Sequence, residues 1–269
     1  MIPAAVRAAA SMLLLRERAG RIEVLLQRRA QGMAFGDMWV FPGGVHSPAD
    51  GELGADPDAA LRRTAARETF EEARIRIAEP EVGGAIAWCR WITPPSLTKR
   101  FDTRFYAVRA PSGQRVVGDA IEAVESAWLA PADALAEMAT RRMRMMPPTA
   151  FSLMDLLRCE RRHGSIERLL LQERARRIVP IMPRSVGEGE GRYSVYPWNP
   201  LYAALSGEGY PLEGEVPEYL RNCTRGAGRC PRLGTRHPWR RTGLPSARIR
   251  LMHRCSRHAA PRAPARALQ

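Results

Sequence analysis

Lysine is almost absent from this chain of 269 residues, which has one lysine, Lys99, against 41 arginines. This one-sided usage indicates a coding bias rather than a binding surface. The five cysteines are odd in number and widely spaced, which argues against a disulfide framework and for a reducing compartment. The sequence also lacks the roughly 18 consecutive apolar residues of a membrane span and the small-residue cleavage pattern of a signal peptide. We therefore expect a soluble, cytoplasmic protein with no membrane partner.

Acidic residues are missing from residues 223–269, which contain 12 arginines. The net charge of +14 lies mainly in this tail, because residues 1–222 hold 30 basic and 28 acidic side chains. We predict a disordered Arg-rich tail, since its composition cannot bury enough apolar surface to offset the entropy of ordering. A basic arm for nucleic acid or a membrane surface is an alternative. A second alternative is a shifted reading frame, which a better-patterned frame after Leu220 in the nucleotide sequence would support.

Apolar runs of strand length alternate with helical patterns in the body of the chain. The predicted strands are 8–16, 22–29, 39–41, 84–92, 100–109 and 122–129. The predicted helices are 59–73, 131–139, 150–161 and 165–176, and the first follows an Asp-Pro start signal at Asp56. A stretch rich in proline and glycine follows from residue 180 to residue 217 and predicts loops with a few short strands at most.

A cluster of carboxylates lies in residues 67–72, which read Arg-Glu-Thr-Phe-Glu-Glu. On a helix that turns about 100° per residue, Glu68, Glu71 and Glu72 fall within one arc. Like charges at this spacing destabilise a helix, and hard divalent cations with oxygen ligands would relieve the repulsion. The sequence therefore predicts a Mg²⁺ or Mn²⁺ site. The upstream glycines of Phe41-Pro42-Gly43-Gly44 would let the backbone approach a metal or a phosphate.

These two segments resemble the sequence box of the Nudix hydrolases. The box begins with Gly, five residues and Glu; seven residues later it ends with Arg-Glu-U-x-Glu-Glu-x-Gly-U, where U is a bulky aliphatic residue. Gly44 matches its first glycine, and its later positions match Arg67, Glu68, Glu71, Glu72 and Ile75. The resemblance implies an α/β/α sandwich with a mixed sheet over residues 3–140. We expect a helical and loop-rich extension at 141–222 to pack on this domain.

Four positions depart from the box. From Gly44 to Arg67 the chain advances 23 positions instead of 14, so the loop is nine residues longer. Counted back from Arg67, the upstream Glu position falls on Ala59, with Asp58 beside it as a substitute. The first U is Thr69. The last glycine is Arg74, which we expect to remove a left-handed helix cap at a cost of about 1 kcal/mol.

The resemblance implies the roles of the site residues. Glu68, Glu71, Glu72 and the backbone of Gly44 are the expected metal ligands, and Glu68 and Arg67 are the expected catalytic residues. The expected substrate contacts are Gly43, Arg29, Lys99, Arg100 and Arg104. For the last three, ordinary solvated charges are an equally good interpretation.

A wider resemblance to the coenzyme A and acyl-coenzyme A diphosphatases rests on segments within and beyond the box. These are 39–45, 48–50, 67–72, 91–94, 100–105 and 146–149. The implied reaction is metal-dependent hydrolysis of a small-molecule diphosphate, with coenzyme A or an acyl derivative as first choice. Nucleotide sugars, dinucleotides and modified nucleotides are alternatives, as is a Nudix-like sensor that binds without cleaving. We allow for a homodimer, and a nucleic-acid partner is disfavoured.

Overall fold

The computed structural model describes residues 4–32, 36–54, 56–118, 123–187, 193–205, 208–212, 215–217 and 220. The tail predicted at 223–269 lies outside these residues. The strands are β1 Val6–Arg18, β2 Arg21–Arg29, β3 Trp39–Val40, β4 Gly43–Val45, β5 Ile86–Ile92, β6 Arg100–Arg109, β7 Ala123–Leu129, β8 Pro180–Ile181, β9 Arg184–Val186 and β10 Tyr193–Val195. The helices are α1 Pro57–Ala73, α2 Glu79–Gly84, α3 Pro131–Ala139, α4 Pro147–His163 and α5 Ile166–Glu173.

The central sheet is mixed, with the strand order β3-β2-β1-β6-β5-β8, and β4 and β7 pair with β1 and β2 respectively. The β1–β6 and β5–β8 pairs are parallel, whereas the other pairs in this sheet are antiparallel. The long strand β1 lies at the centre and contacts β2, β4 and β6. The predicted α/β class with a mixed sheet is confirmed.

Both faces of the sheet are covered, because alternate residues of β1 enter two different cores. Met12 and Leu14 join a core that α1 and α2 cover, together with Leu61 and Val82. The neighbouring side chains of β1 join a second core on the opposite face, with residues of α3, α4 and α5. Since α4 and α5 share this core with the strands, the predicted extension supplies part of the helical layer. The domain boundary at residue 140 stays a prediction.

The carboxylate helix α1 is defined at both ends by local interactions. The Asp56 side chain accepts a hydrogen bond from the Asp58 amide, and Pro57 occupies the first helical position. At the other end Arg74 adopts the left-handed conformation, with φ 56°, and its amide donates to the Phe70 carbonyl at 3.0 Å. The expected loss of the left-handed cap is therefore wrong. Arg74 forms the cap itself, at a strain of about 1 kcal/mol relative to glycine.

Three elements differ from the sequence prediction. Gly43 and Gly44 follow the strand predicted at 39–41 and belong to a further strand, β4, which pairs with β1. The short helix α2 lies where the sequence indicated a loop and the beginning of a strand. The long loop contains a 3-10 turn at Pro48–Asp50, closed by a capping box with Ser47. No helix in the described part of the chain is long and apolar enough to cross a membrane.

Candidate active site

The three glutamates of α1 reach different surroundings. The Glu71 side chain is 51% exposed, whereas that of Glu68 is 14% exposed and that of Glu72 only 6%. This gradient follows from the helix, since Glu72 faces the sheet and Glu71 faces solvent. The predicted arc of carboxylates is therefore present, with one member in the interior and one on the surface.

Glu72 is held by the glycine strand and by β2. Its Oε2 accepts a hydrogen bond of 3.0 Å from the Gly43 amide. Its Oε1 lies 3.9 Å from Nη1 of Arg29, which is the predicted substrate contact on β2. Because Gly43 and Arg29 both contact this carboxylate, three of the predicted site residues meet at one place.

Glu68 lies against the second glycine. A Cβ added to Gly44 would overlap the Glu68 carboxylate. Gly44 is paired in register with Ala10 of β1, so its backbone is fixed within the sheet. A side chain at this position would therefore have to displace Glu68, and glycine is required for their close approach.

Arg67 bridges the carboxylates to a buried acid in the long loop. Its Nη1 lies 2.9 Å from Glu68 and 2.8 Å from Glu71. Its Nε and Nη2 donate to the two carboxylate oxygens of Asp50, at 2.8 and 3.1 Å. Asp50 has a side-chain exposure of 4% and also accepts hydrogen bonds from the Ser47 amide and the Thr64 hydroxyl. The Asp50 carboxylate thus fixes the orientation of the Arg67 guanidinium.

These contacts shift the ionisation of both partners. Burial alone would raise the pKa of Asp50, but the hydrogen bonds from Arg67, Ser47 and Thr64 outweigh it and lower the pKa below its ordinary value. The pKa of Arg67 is raised, chiefly by its hydrogen bond to Asp50. Both groups are therefore charged at neutral pH.

Asp58, the expected substitute for the upstream Glu, does not contact Arg67 through any described hydrogen bond. Its carboxylate is bound by Arg104 and by the Tyr106 hydroxyl, the latter at 2.7 Å. Asp50 occupies the upstream Glu position of the box, and the expectation for Asp58 is wrong. Counting forward from Gly44 identifies Asp50, because five residues separate the two, as they separate the first Gly and the upstream Glu of the box. The nine additional residues therefore lie after Asp50, where they do not disturb the acid that holds Arg67.

The other predicted substrate contacts are Arg104, Arg100 and Lys99. Arg104 is engaged with Asp58 at the start of α1. Arg100 is 4% exposed and donates to the Thr93 and Ala4 carbonyls and to the Glu208 carboxylate. These bonds tie the extension to the sheet and leave Arg100 buried. Lys99 is exposed in the preceding loop, and its contact with a substrate stays a prediction.

The donor set fits a hard divalent cation. Glu68, Glu71 and Glu72 offer carboxylate oxygens, and the space where Gly44 lacks a Cβ is lined by Glu68. Their ligand atoms do not converge as a compact group in this structure. Each carboxylate contacts a nearby N–H group or guanidinium instead, as expected of like charges that repel one another.

A second cluster of metal-binding side chain types occurs between α4 and α5. Ligand atoms of Cys159, His163 and Glu173 lie within 4.8 Å of one another. Arg158 and Arg176 both contact this group, with Glu173 2.6 Å from Nη2 of Arg176. Two guanidinium groups already neutralise the carboxylate, so the cluster is better described as a buried ion-pair network than as a metal site.

Asp50→Asn should lower stability and activity together. Asparagine presents an NH₂ group to a guanidinium, so we expect a loss of about 1–3 kcal/mol in the free energy of unfolding at pH 7. Since the folded-state pKa of Asp50 is lowered, its stabilisation is present above the ordinary pKa of about 3.9 and is lost as the pH falls through the folded-state value. Urea unfolding from pH 7 to pH 3 should show the difference from the wild type shrinking below about pH 4.

The matched control is Asp133→Asn. Asp133 also pairs with an arginine, Arg21, but its side chain is 55% exposed. We expect this substitution to change the free energy of unfolding by less than about 0.5 kcal/mol and to leave turnover intact. A deficit of Asp50→Asn that is independent of pH would contradict the role given to its charge.

The chain is similar to known proteins. A sequence model of the NUDIX domain matches residues 5–149. A NUDIX hydrolase from Alicyclobacillus acidocaldarius is 25% identical, with a TM-score of 0.53, and the match covers 62% of this chain and 96% of that one. An Ap4A hydrolase from C. elegans is 21% identical, with a TM-score of 0.40 and coverages of 57% and 96%. The NUDIX domain of Shewanella oneidensis NrtR, solved with ADP ribose, is 16% identical, with a TM-score of 0.42 and coverages of 57% and 89%.

Proposed function

The chain belongs to the Nudix family and is a hydrolase of pyrophosphate bonds, and from that premise we propose that it cleaves a nucleoside-diphosphate-linked substrate, with coenzyme A or an acyl-coenzyme A as first choice. The hydrolytic part of the proposal is supported by one observation: the Glu72 carboxylate accepts a hydrogen bond from the Gly43 amide, and the Glu68 carboxylate lies against Gly44. This arrangement places acidic oxygens beside a backbone that has no side chains to exclude a diphosphate.

Nudix hydrolases typically use divalent metals, and Glu68, Glu71, Glu72 and Gly44 are the residues that we assign to hold Mg²⁺ or Mn²⁺ here. A bound ion of this kind would neutralise charge that develops on the diphosphate oxygens. Gly44 is paired with Ala10, so a metal contact from Gly44 would use the second lone pair of a carbonyl fixed by the sheet.

The side chains of the chain itself position the reacting groups. Glu68 is the candidate general base that orients or deprotonates the attacking water. Arg67 fixes the orientation of Glu68 and Glu71 through a single nitrogen, Nη1. Asp50 holds the rest of the guanidinium. Because Oε2 of Glu72 accepts a hydrogen bond from Gly43, the other oxygen, Oε1, is directed towards Arg29.

The choice of coenzyme A rests on the resemblance of sequence segments within and beyond the Nudix box to the coenzyme A diphosphatases. Nucleotide sugars, dinucleotides and modified nucleotides contain the same scissile group and are the alternative substrates. A sensor that binds a nucleotide without cleaving it is disfavoured because the three glutamates of the Arg-Glu-U-x-Glu-Glu segment are retained. A screen of metal-dependent turnover across these four classes would identify the substrate.

Chelation should abolish turnover. We expect the protein treated with EDTA to lose at least about 100-fold in activity, since metal-assisted hydrolysis depends on charge neutralisation worth several kcal/mol. Added Mg²⁺ or Mn²⁺ should restore it, and Ca²⁺, with its longer oxygen distances, should restore less. With coenzyme A, the products should be adenosine 3′,5′-bisphosphate and phosphopantetheine, measured by chromatography. Full turnover in EDTA would contradict the assigned reaction.

Three further expectations accompany this proposal. We propose a cytoplasmic location and a homodimer, which fractionation and size-exclusion chromatography would test. Nucleic acid is not proposed as a partner, since residues 1–222 are nearly balanced in charge. If residues 223–269 do bind RNA or DNA, the affinity should fall with salt and vanish when the chain is truncated after Asn222.

A further inference from the structure

The C-terminal end of α1 is a place where backbone carbonyls need partners from outside the helix. The last four carbonyls of any α-helix have no intrahelical donor. In α1 the Phe70 carbonyl is satisfied by the Arg74 amide at 3.0 Å, and the Ala73 carbonyl by the Val117 amide at 3.0 Å. The Glu72 carbonyl is satisfied by a side chain, because Nε2 of Gln27 donates to it at 3.1 Å.

Gln27 is an unusual residue for its location. It lies near the end of β2, opposite Val40 of β3 and Ser126 of β7, and it is only 1% exposed. Buried glutamine is uncommon unless its amide is fully hydrogen-bonded. The second Nε2 hydrogen is directed to Ser126 Oγ at 3.2 Å, so the amide joins α1 to β7 across β2.

The orientation of this amide follows from its partners. The Glu72 carbonyl can only accept, so the NH₂ group of Gln27 must face it. This orientation leaves Oε1 of Gln27 buried with no donor among the residues that the structure describes. An unsatisfied buried acceptor is costly. The bond to Glu72 thus sets which way the amide of Gln27 faces.

The constraint acts on the most buried of the site glutamates. Gln27 fixes the backbone of Glu72, while the Gly43 amide and Arg29 contact its carboxylate. Gln27 and Arg29 are two positions apart on β2 and face the same side of the sheet. Residues of strands therefore contact both the backbone and the side chain of Glu72. A shift of the end of α1 would break these contacts.

We infer that Gln27 is a positioning residue for Glu72, and that it holds the end of α1 so that the carboxylate keeps its place on the Gly43 amide. This inference rests on the proposed function, in which Glu72 is a metal ligand. Partners that orient metal ligands typically influence metal affinity or activity by about 10–100-fold. Gln27 touches neither metal nor substrate and acts only through Glu72.

The test compares the full-length wild type with Gln27→Met, which preserves the shape and removes the donors. We expect Mn²⁺ affinity, measured by calorimetric titration, to fall about tenfold or more, and kcat to fall at saturating substrate, with a smaller change in KM. Hydrogen exchange of the Gly43 amide should accelerate, because its acceptor on Glu72 becomes mobile. If Gln27→Met does not fold, Gln27→Asn, which keeps the donors on a shorter side chain, should show the same losses in milder form.

Two control substitutions separate this role from general stability. Gln114→Met removes a glutamine that bonds the Arg76 backbone, at 2.9 and 2.8 Å, on the exposed surface beyond the same helix. Ser126→Ala removes the other acceptor of the Gln27 amide and leaves the bond to Glu72. Both should keep Mn²⁺ affinity and kcat within about twofold of the wild type.

The outcomes distinguish the two proposals. If Gln27→Met lowers only the melting temperature and keeps the wild-type Mn²⁺ affinity, kcat and Gly43 exchange, the positioning role is refuted and Gln27 is structural. The positioning role is also refuted if Ser126→Ala reproduces the full effect of Gln27→Met. If the wild type itself neither binds Mn²⁺ nor cleaves any diphosphate, the proposed function is refuted, and the positioning role that rests on it is refuted with it.

Discussion

Glu68→Gln should reduce turnover by about 100-fold or more, with little effect on folding. Glutamine has nearly the same shape and keeps an oxygen towards Arg67, but it cannot take a proton from water and is a poorer metal ligand. Glu68 has a side-chain exposure of 14% and lies against the Gly44 backbone, where the neutral amide fits the same space. The loss should therefore appear in kcat under saturating metal and substrate, while the melting temperature stays near that of the wild type.

Glu23→Gln is the matched control for this substitution. Glu23 is also a partly buried glutamate, 18% exposed, and it is paired with an arginine, Arg16, at 2.6 Å. It lies on β2, outside the carboxylate cluster. We expect its turnover to remain within about twofold of the wild type. Wild-type turnover in Glu68→Gln would refute the site, and an equal loss in both variants would indicate a general effect of glutamate removal.

Gly44→Ala should separate activity from stability even more clearly. The added Cβ would overlap the Glu68 carboxylate, which is the far end of a flexible side chain and can rotate away. The fold therefore tolerates the methyl group, and we expect the free energy of unfolding to change by about 1 kcal/mol or less. Activity should fall by about 100-fold, because a displacement of about 1 Å in a reacting group has an effect of that size. Parallel measurements of kcat and urea unfolding would check this.

Two other glycines provide the comparison. A Cβ at Gly43 would overlap the Ala10 carbonyl and the Ser11 backbone of β1, which cannot move aside, so Gly43→Ala should lower stability as well as activity. A Cβ at Gly54 would meet nothing within 4 Å, so Gly54→Ala should be neutral in both measurements. A Gly44→Ala variant with wild-type kcat would show that Glu68 need not lie on the glycine backbone.

The carboxylate helix could be predicted because its signals are local. Asp56-Pro57 marks the beginning of α1, and the spacing of the glutamates sets their arc whatever the helix packs against. The strands β1, β2, β5 and β6 were predictable for the same reason, since apolar runs of their length need no distant information. Arg74 was misjudged because a non-glycine residue can adopt the left-handed conformation when the surrounding fold supplies the strain energy.

The partners of the charged residues were less predictable. Asp58 is adjacent to the expected position in the sequence, yet Asp50, the last residue of a 3-10 turn, binds Arg67. Arg104 could not be assigned either, because its nearest acid is Asp58, 46 positions away. Counting back from Arg67 across the lengthened loop leads to the position beside Asp58. Counting forward from Gly44 leads to Asp50, so spacing alone leaves both acids open. Which of them reaches the arginine depends on how the loop closes.

Three features of this protein could be read from residue types alone: a helix with three glutamates on one arc, two glycines that precede it, and a body of nearly balanced charge. Each of these follows from residue type and from the period of the helix. Three contacts could be seen in the tertiary structure alone. Glu68 lies against Gly44, Asp50 binds Arg67, and Gln27 is hydrogen-bonded to the last turn of α1. The reason is that these contacts join residues from different strands, loops and helices, whose separation is set by strand register and loop closure rather than by any local pattern.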